Sequence, residues 1–188
     1  MPLYETELIR GARSQIETGD KITIIGGGWG VSTVVAAQEA GEEGKVVTYE
    51  GATKQVKRTQ QTLLLNDTLA EVSIIHAVVG KTKNLRGDAG RPEQINPDQL
   101  SPCDGLIMDC EGAEMDILTD LRIRPRFIVV ETHGLYDAPT EKVKEKLVEM
   151  EYEIAASGVA EEWKKEDCYE NDVYVLTAVK EETSENKS

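Results

Sequence analysis

The stretch Lys21–Gly51, KITIIGGGWGVSTVVAAQEAGEEGKVVTYEG, decides the fold. Ile22, Thr23, Ile24 and Ile25 are β-formers in a short apolar run, which predicts a buried strand. Gly26, Gly27 and Gly28 follow, then Trp29 and Gly30. The alanine- and valine-rich run Val31 to Ala40 predicts a helix, closed by Gly41. Val46 to Tyr49 reads as a second strand, and it ends in an acid, Glu50. Strand, glycine loop, helix, strand and acid together form the nucleotide-binding half of a doubly wound α/β fold. The helix behind the loop turns unpaired N–H groups and a partial positive charge toward a bound ligand. A carboxylate at the end of the second strand can accept both hydroxyls of a ribose. An adenosine-type cofactor is therefore expected on Gly26, Gly27, Gly28, Gly30, Glu50 and Gly51.

The spacing of the glycines selects the cofactor. In the dinucleotide pattern G-x-G-x-x-G counted from Gly26, the third glycine falls on Val31. The loop instead reads G-x-G-x-G through Gly26, Gly28 and Gly30. That spacing resembles the first motif of the S-adenosylmethionine-dependent methyltransferases of the Rossmann-like class. Those enzymes usually carry an acid two residues before the first glycine, where this chain has Ile24.

The flanking chain reads as more of the same fold. Tyr4 to Thr18 predicts a helix with an apolar stripe of Leu8, Ile9, Ala12 and Ile16. Helices are expected over Thr53–Leu65, Ala113–Leu121 and Thr140–Met150, and strands over Val72–Val79, Gly105–Asp109 and Phe127–Val130. His76, near the end of the third strand, reads first as a packed residue, while the backbone at Ala77 is placed to face an adenine ring. Tyr152–Ala156 and Val173–Val179 follow as two strands with no helix between them, which predicts an antiparallel pair at one edge. The expected fold is α/β: a doubly wound, Rossmann-like, seven-stranded sheet, mostly parallel with that pair at its C-terminal edge. One domain is expected over residues 1–180, with an N-terminal helix within 1–19 and a polar, disordered tail over 181–188. Residues 80–103 are rich in glycine, proline and charge and read either as a surface excursion or as a lid.

A net charge of −14 argues against nucleic acid and anionic membranes as partners, since both need basic surface. No run of 18 apolar residues predicts a membrane span, and no signal peptide is apparent. Three cysteines without C-x-x-C spacing fit reduced thiols in a cytoplasmic protein. Exposed edge strands leave room for a homodimer.

The chemistry is expected beyond the carboxyl ends of the strands. Asp109-Cys110-Glu111-Gly112-Ala113-Glu114 follows the fourth strand, and Glu131-Thr132-His133 ends the fifth. Together these stretches resemble the FkbM-type family of S-adenosylmethionine-dependent methyltransferases, which carries D-x-E-G-x-E and E-x-H at these places. The resemblance covers roughly Asp20 to His133 and implies methyl transfer to a hydroxyl of a small molecule or sugar. Methyl transfer to an alcohol needs an aligned acceptor and a group that removes a proton. Asp109, Glu111, Glu131 and His133 are the catalytic candidates, with Asp109 also placed to hold the cofactor. Glu114 collects at the same strand end, although Glu111 and Glu114 also flank a helix start, where acids are favoured in any case. Such carboxylates plus a histidine are also donors for a divalent metal, but their spacing does not demand one, and none is expected. Two other readings stay open: a nicotinamide-dependent oxidoreductase, and a non-catalytic binder of an adenosine ligand.

Overall fold

A computed structural model describes residues 4–81 and 88–180. Its centre is an eight-stranded sheet in the order β4-β3-β2-β1-β5-β6-β8-β7. The strands are β1 (Lys21–Ile25), β2 (Lys45–Glu50), β3 (Glu71–Val79), β4 (Glu93–Ile95), β5 (Gly105–Met108), β6 (Phe127–Glu131), β7 (Tyr152–Val159) and β8 (Tyr174–Lys180). Every pair from β4 through β6 is parallel; β8 runs antiparallel to both β6 and β7. The helices are α1 (Thr6–Gln15), α2 (Val31–Ala40), α3 (Thr53–Leu64), α4 (Glu114–Asp120), α5 (Thr140–Glu149) and α6 (Lys165–Asn171).

Two faces are covered, so the central strands read as unbroken apolar runs rather than alternating ones. The period of two decides which face each side chain joins. Leu106, Met108, Ile128 and Val130 pack with Ile117 and Leu118 of α4 and Val143 and Leu147 of α5. Ile107, Phe127 and Val129 turn the other way, onto Leu8 and Ala12 of α1 and Ala36, Ala37 and Ala40 of α2. The small residues of α2 let it lie close to the sheet, with Ser32 through Ala37 all buried.

The sequence expectation of seven strands is corrected to eight. The additional strand lies inside the 80–103 stretch: β4 pairs in parallel with the end of β3, from Ala77↔Glu93 to Val79↔Ile95. A turn of 3₁₀ helix at Pro97–Gln99 follows, capped by Asn96. Only three residues long, β4 carries no periodicity from which it could be read. Residues 82–87 of the stretch read as a surface excursion or a lid lie outside the described residues, as does the expected tail at 181–188. A second correction concerns the connection between the last two strands, which contains α6; of its seven residues only Cys168 is buried, so no apolar stripe announces it.

The strand order reverses at β1. The chain steps outward through β2 and β3, then returns to place β5 on the other side of β1. Ligands of open α/β sheets bind where this reversal opens a crevice. Here that crevice lies between the ends of β1 and β5, at Gly26 and Asp109.

Candidate active site

Gly26 marks the crevice floor. It has φ +92°, and a Cβ there would meet the carbonyl oxygen of Asp109 at 1.8 Å. Only glycine lets the two strand ends come together, and the Asp109 N–H donates to the Ile25 carbonyl at 3.0 Å. The loop that follows is braced from outside. Gly26 N–H donates to Tyr49 O at 2.9 Å, and the Thr62 hydroxyl donates to Trp29 O at 2.7 Å. Ile24, where related loops have an acid, is packed into the core at 1% exposure.

Glu50 provides the brace from the next strand. Its carboxylate accepts from Gly28 N–H at 2.9 Å through Oε2 and from Ala52 N–H at 2.8 Å through Oε1. These bonds fix the side chain at the cleft wall while leaving lone pairs on both oxygens. The cleft, about 640 Å³, is lined by Gly26, Gly28, Glu50, Gly51, Ala77 and Asp109, among others. Gly27 and Gly30 are not in the lining; a Cβ on either would meet Thr48 or Thr59 at 2.8 Å, so they shape the loop from behind. His76 is a packing residue. Its Nε2 donates toward the carbonyls of Gly51 and Ala89, at 3.2 and 3.0 Å. Thus it ties the stretch after β3 to the end of β2. Tyr4, Tyr49 and Gln55 also line the cleft, and no motif announced them.

The second part of the site is a buried carboxylate–imidazole cluster. His133 is 4% exposed. Its Nδ1–H donates to Oε1 of Glu114 at 2.8 Å. Its Nε2 faces Asp109 Oδ1 and Glu131 Oε1, each at 3.5 Å, too long for a good hydrogen bond. The Nε2 atom, Asp109 Oδ1 and Glu114 Oε2 are buried without a hydrogen-bond partner. Glu111 projects from a left-handed turn at φ +53°. Gly112 follows at φ +100°, where an added Cβ would meet Tyr136 Cβ at 2.5 Å.

Charges in this cluster reset one another. Burial disfavours a charged His133, but the bond to Glu114, then the attraction of Glu131 and Asp109, outweigh it and hold the imidazole up to about 11. In that state it is a cation at neutral pH and does not serve as a free base. Asp109 is pushed well above the carboxylate range by burial first and by Glu131 next, while His133 pulls the other way. Glu5, from the segment before α1, is raised to about 7, chiefly by burial and then by Glu131.

A second cleft, about 610 Å³, opens on the other side of the cluster. Glu111, Glu131 and His133 form its floor, with Leu135, Tyr136 and Lys164 among its walls. Glu111 lines both clefts. All four catalytic candidates from the sequence therefore meet at one place. Sequence reasoning missed Glu5, whose short N-terminal segment has no motif; it grouped Glu114 with Asp109 and Glu111 after the fourth strand but gave it no partner. Four of the second cleft's lining residues, Lys164, Asp167, Cys168 and Asn171, come from the region of α6, where the sequence predicted no helix.

Comparison with known proteins places this architecture. No protein-family model matches the chain, and no curated protein matches it. Solved structures do. A SAM-dependent O-methyltransferase from Thermotoga maritima superposes with TM-score 0.62 at 17% identity, covering 97% of this chain and 68% of the other. A ribosomal protein L11 methylase from Lactobacillus delbrueckii subsp. bulgaricus gives TM-score 0.62 at 12% identity, with 95% and 79% covered. Aeropyrum pernix fibrillarin, solved with natively bound S-adenosyl-L-methionine, gives 0.58 at 15%, with 88% and 68% covered. The fold is that of the Rossmann-like, class I methyltransferases. Identities this low speak for the fold alone.

Proposed function

We propose that the chain is an S-adenosylmethionine-dependent methyltransferase of FkbM type that methylates a hydroxyl oxygen of a small molecule or sugar. The observation that carries this reading is the meeting of two clefts at Glu111, beyond the carboxyl ends of β5 and β6. One cleft has the glycine floor and strand-end acid that suit an adenosine ligand, and the other has the acid cluster. In this reading Glu50, Gly51 and Ala77 hold the adenosine, Gly26 and Gly28 give it backbone contact, and Asp109 lies at the reacting end. Gly27 and Gly30 keep the loop in shape.

The acceptor enters the second cleft. The methyl carbon passes from the sulfonium sulfur to the acceptor oxygen, the C–S bond breaking as the C–O bond forms. Sulfur keeps the electron pair and becomes neutral. The hydroxyl proton goes to a carboxylate, Glu111 or Glu131, both on the floor of that cleft. Leu135 and Tyr136 give the acceptor an apolar wall.

The net charge of −14 favours a small acceptor over RNA. Among the described residues no helix is long and apolar enough to cross a membrane. Unpaired thiols at Cys103, Cys110 and Cys168 fit a reducing, cytoplasmic setting. A nicotinamide reading has less support, because the glycine spacing departs from the dinucleotide pattern.

Calorimetric titration with S-adenosylhomocysteine, with NADH as control, tests the cofactor half. Transfer of labelled methyl to a panel of hydroxylated acceptors tests the rest. Binding of the homocysteine compound alone is expected; binding of NADH alone, or of neither, overturns the reading.

A further inference from the structure

We propose that Asp109, Glu111 and His133 form a binding site for one divalent cation of the Mn²⁺ or Mg²⁺ type, at the seam between the two clefts. Each residue offers a donor atom, and these atoms all lie within 4.8 Å of one another. Donors sharing one cation at bonds of about 2.0–2.6 Å stand at most about 4–5 Å apart, so the cluster has the size that one cation spans. Acidic clusters alone are common on a protein with a net charge of −14, so the weight falls on His133. Its ring is 4% exposed, and its Nε2 is buried with no hydrogen-bond partner. That nitrogen is aimed at Asp109 Oδ1, itself a buried oxygen without a partner. Unsatisfied buried polar atoms are rare and call for an explanation; a cation between them satisfies both.

The far side of the ring agrees. Nδ1–H donates to Glu114 at 2.8 Å, and Glu114 is fully buried. The cation takes the place of the Nε2 proton that the ring otherwise carries, and the carboxylate behind the ring holds Nδ1–H so that Nε2 is the metal-facing nitrogen. Glu114 is thus a positioning residue. Two carboxylates and one imidazole suit Mn²⁺ or Mg²⁺ better than a soft metal that seeks thiolates. Cys110, despite its place between Asp109 and Glu111, is absent from the donor group. Three protein donors leave coordination positions open toward the second cleft, where an acceptor oxygen would arrive. The cation then supplies positive charge at that oxygen. This use rests on the methyltransferase reading, but the site itself does not.

The test titrates the chelator-stripped protein with MnCl₂ and reads free Mn²⁺ by electron paramagnetic resonance. One tightly bound ion per chain is expected, displaced by excess Mg²⁺. Pulsed measurements on the bound ion should show one directly coordinated imidazole nitrogen. The chain has two histidines, so His76→Gln should keep that coupling and His133→Gln should lose it. Glu114→Gln should retain the coupling while weakening Mn²⁺ about 10–100-fold. Free Mn²⁺ tracking the added amount overturns the proposal. So does bound Mn²⁺ without nitrogen coupling, which is surface carboxylate binding, or a coupling lost in His76→Gln. S-adenosylhomocysteine titrated into the same samples separates the two ideas. Its binding without a Mn²⁺ site leaves the methyltransferase reading standing alone, and Mn²⁺ binding without it does the reverse.

Discussion

His133 and Glu114 are joined across 2.8 Å in a place where neither meets water: the ring is 4% exposed and the acid fully buried. One comes from the end of β6 and the other from the first residue of α4, so the bond links the two halves of the cluster. The same Glu114 oxygen also accepts from Cys110 N–H at 3.2 Å, which shapes the turn carrying Glu111.

Glu114→Leu should therefore be more harmful than an ordinary core change. It strands a buried imidazolium beside partners that do not hydrogen-bond it. Breaking a buried pair from one side costs about 3–5 kcal/mol. Urea unfolding of the variant should show a loss in that range, and Glu114→Gln a smaller one, because its amide oxygen can still accept from Nδ1–H. Equal stability of the leucine variant and the wild type would falsify the assignment.

Gly26→Ala tests the crevice floor. The added methyl carbon overlaps the Asp109 carbonyl, which is backbone and cannot rotate away, and φ +92° disfavours any L side chain. A destabilisation of roughly 2–4 kcal/mol is expected in thermal melts. A melt unchanged within a degree or two shows that β1 and β5 end farther apart than described here.

Much of this was legible in the sequence because the relevant signals are local. The run Ile22–Ile25 and the small residues of α2 announce a strand and helix buried on both sides, and Gly26, Gly28 and Glu50 mark the cleft by spacing alone. Asp109, Glu111, Glu131 and His133 could be gathered because each follows a strand that ends on the same edge of a parallel sheet. What could not be read depends on distance in the chain. Glu5 reaches the cluster from a segment with no pattern, its N–H donating to Glu161, 156 residues away. The role of Glu114 depends on a partner 19 residues on. β4 exists because β3 offers it an edge; its three residues carry no tendency of their own.

Glu50→Gln should separate cofactor binding from folding. The amide keeps one oxygen to accept a backbone N–H but loses the charge that would take ribose hydroxyls. Hydrogen bonds to charged groups contribute about 1.5–3 kcal/mol. Affinity for S-adenosylhomocysteine should fall roughly 10–100-fold, at about 1.4 kcal/mol per decade. Calorimetry alongside a melt decides it. Undiminished binding places the ribose elsewhere.

Glu5 gives the protein a pH dependence whose sign can be stated. Its carboxyl rises from an ordinary 4.5 to about 7, first through burial and then through the neighbouring charge of Glu131. Between those two values the folded chain keeps a proton that the unfolded chain releases. Linkage then makes stability fall as pH rises from about 4.5 through about 7. The full penalty, reached above pH 7, is roughly 3 kcal/mol, at 1.36 kcal/mol per pKa unit. Glu5→Gln cannot ionise and should remove that decline. Unfolding curves at pH 4 should leave the two proteins close together, and at pH 8 the variant should be more stable by an amount of that order. A gap that stays constant from pH 4 to pH 8 shows that Glu5 is open to water in the folded protein.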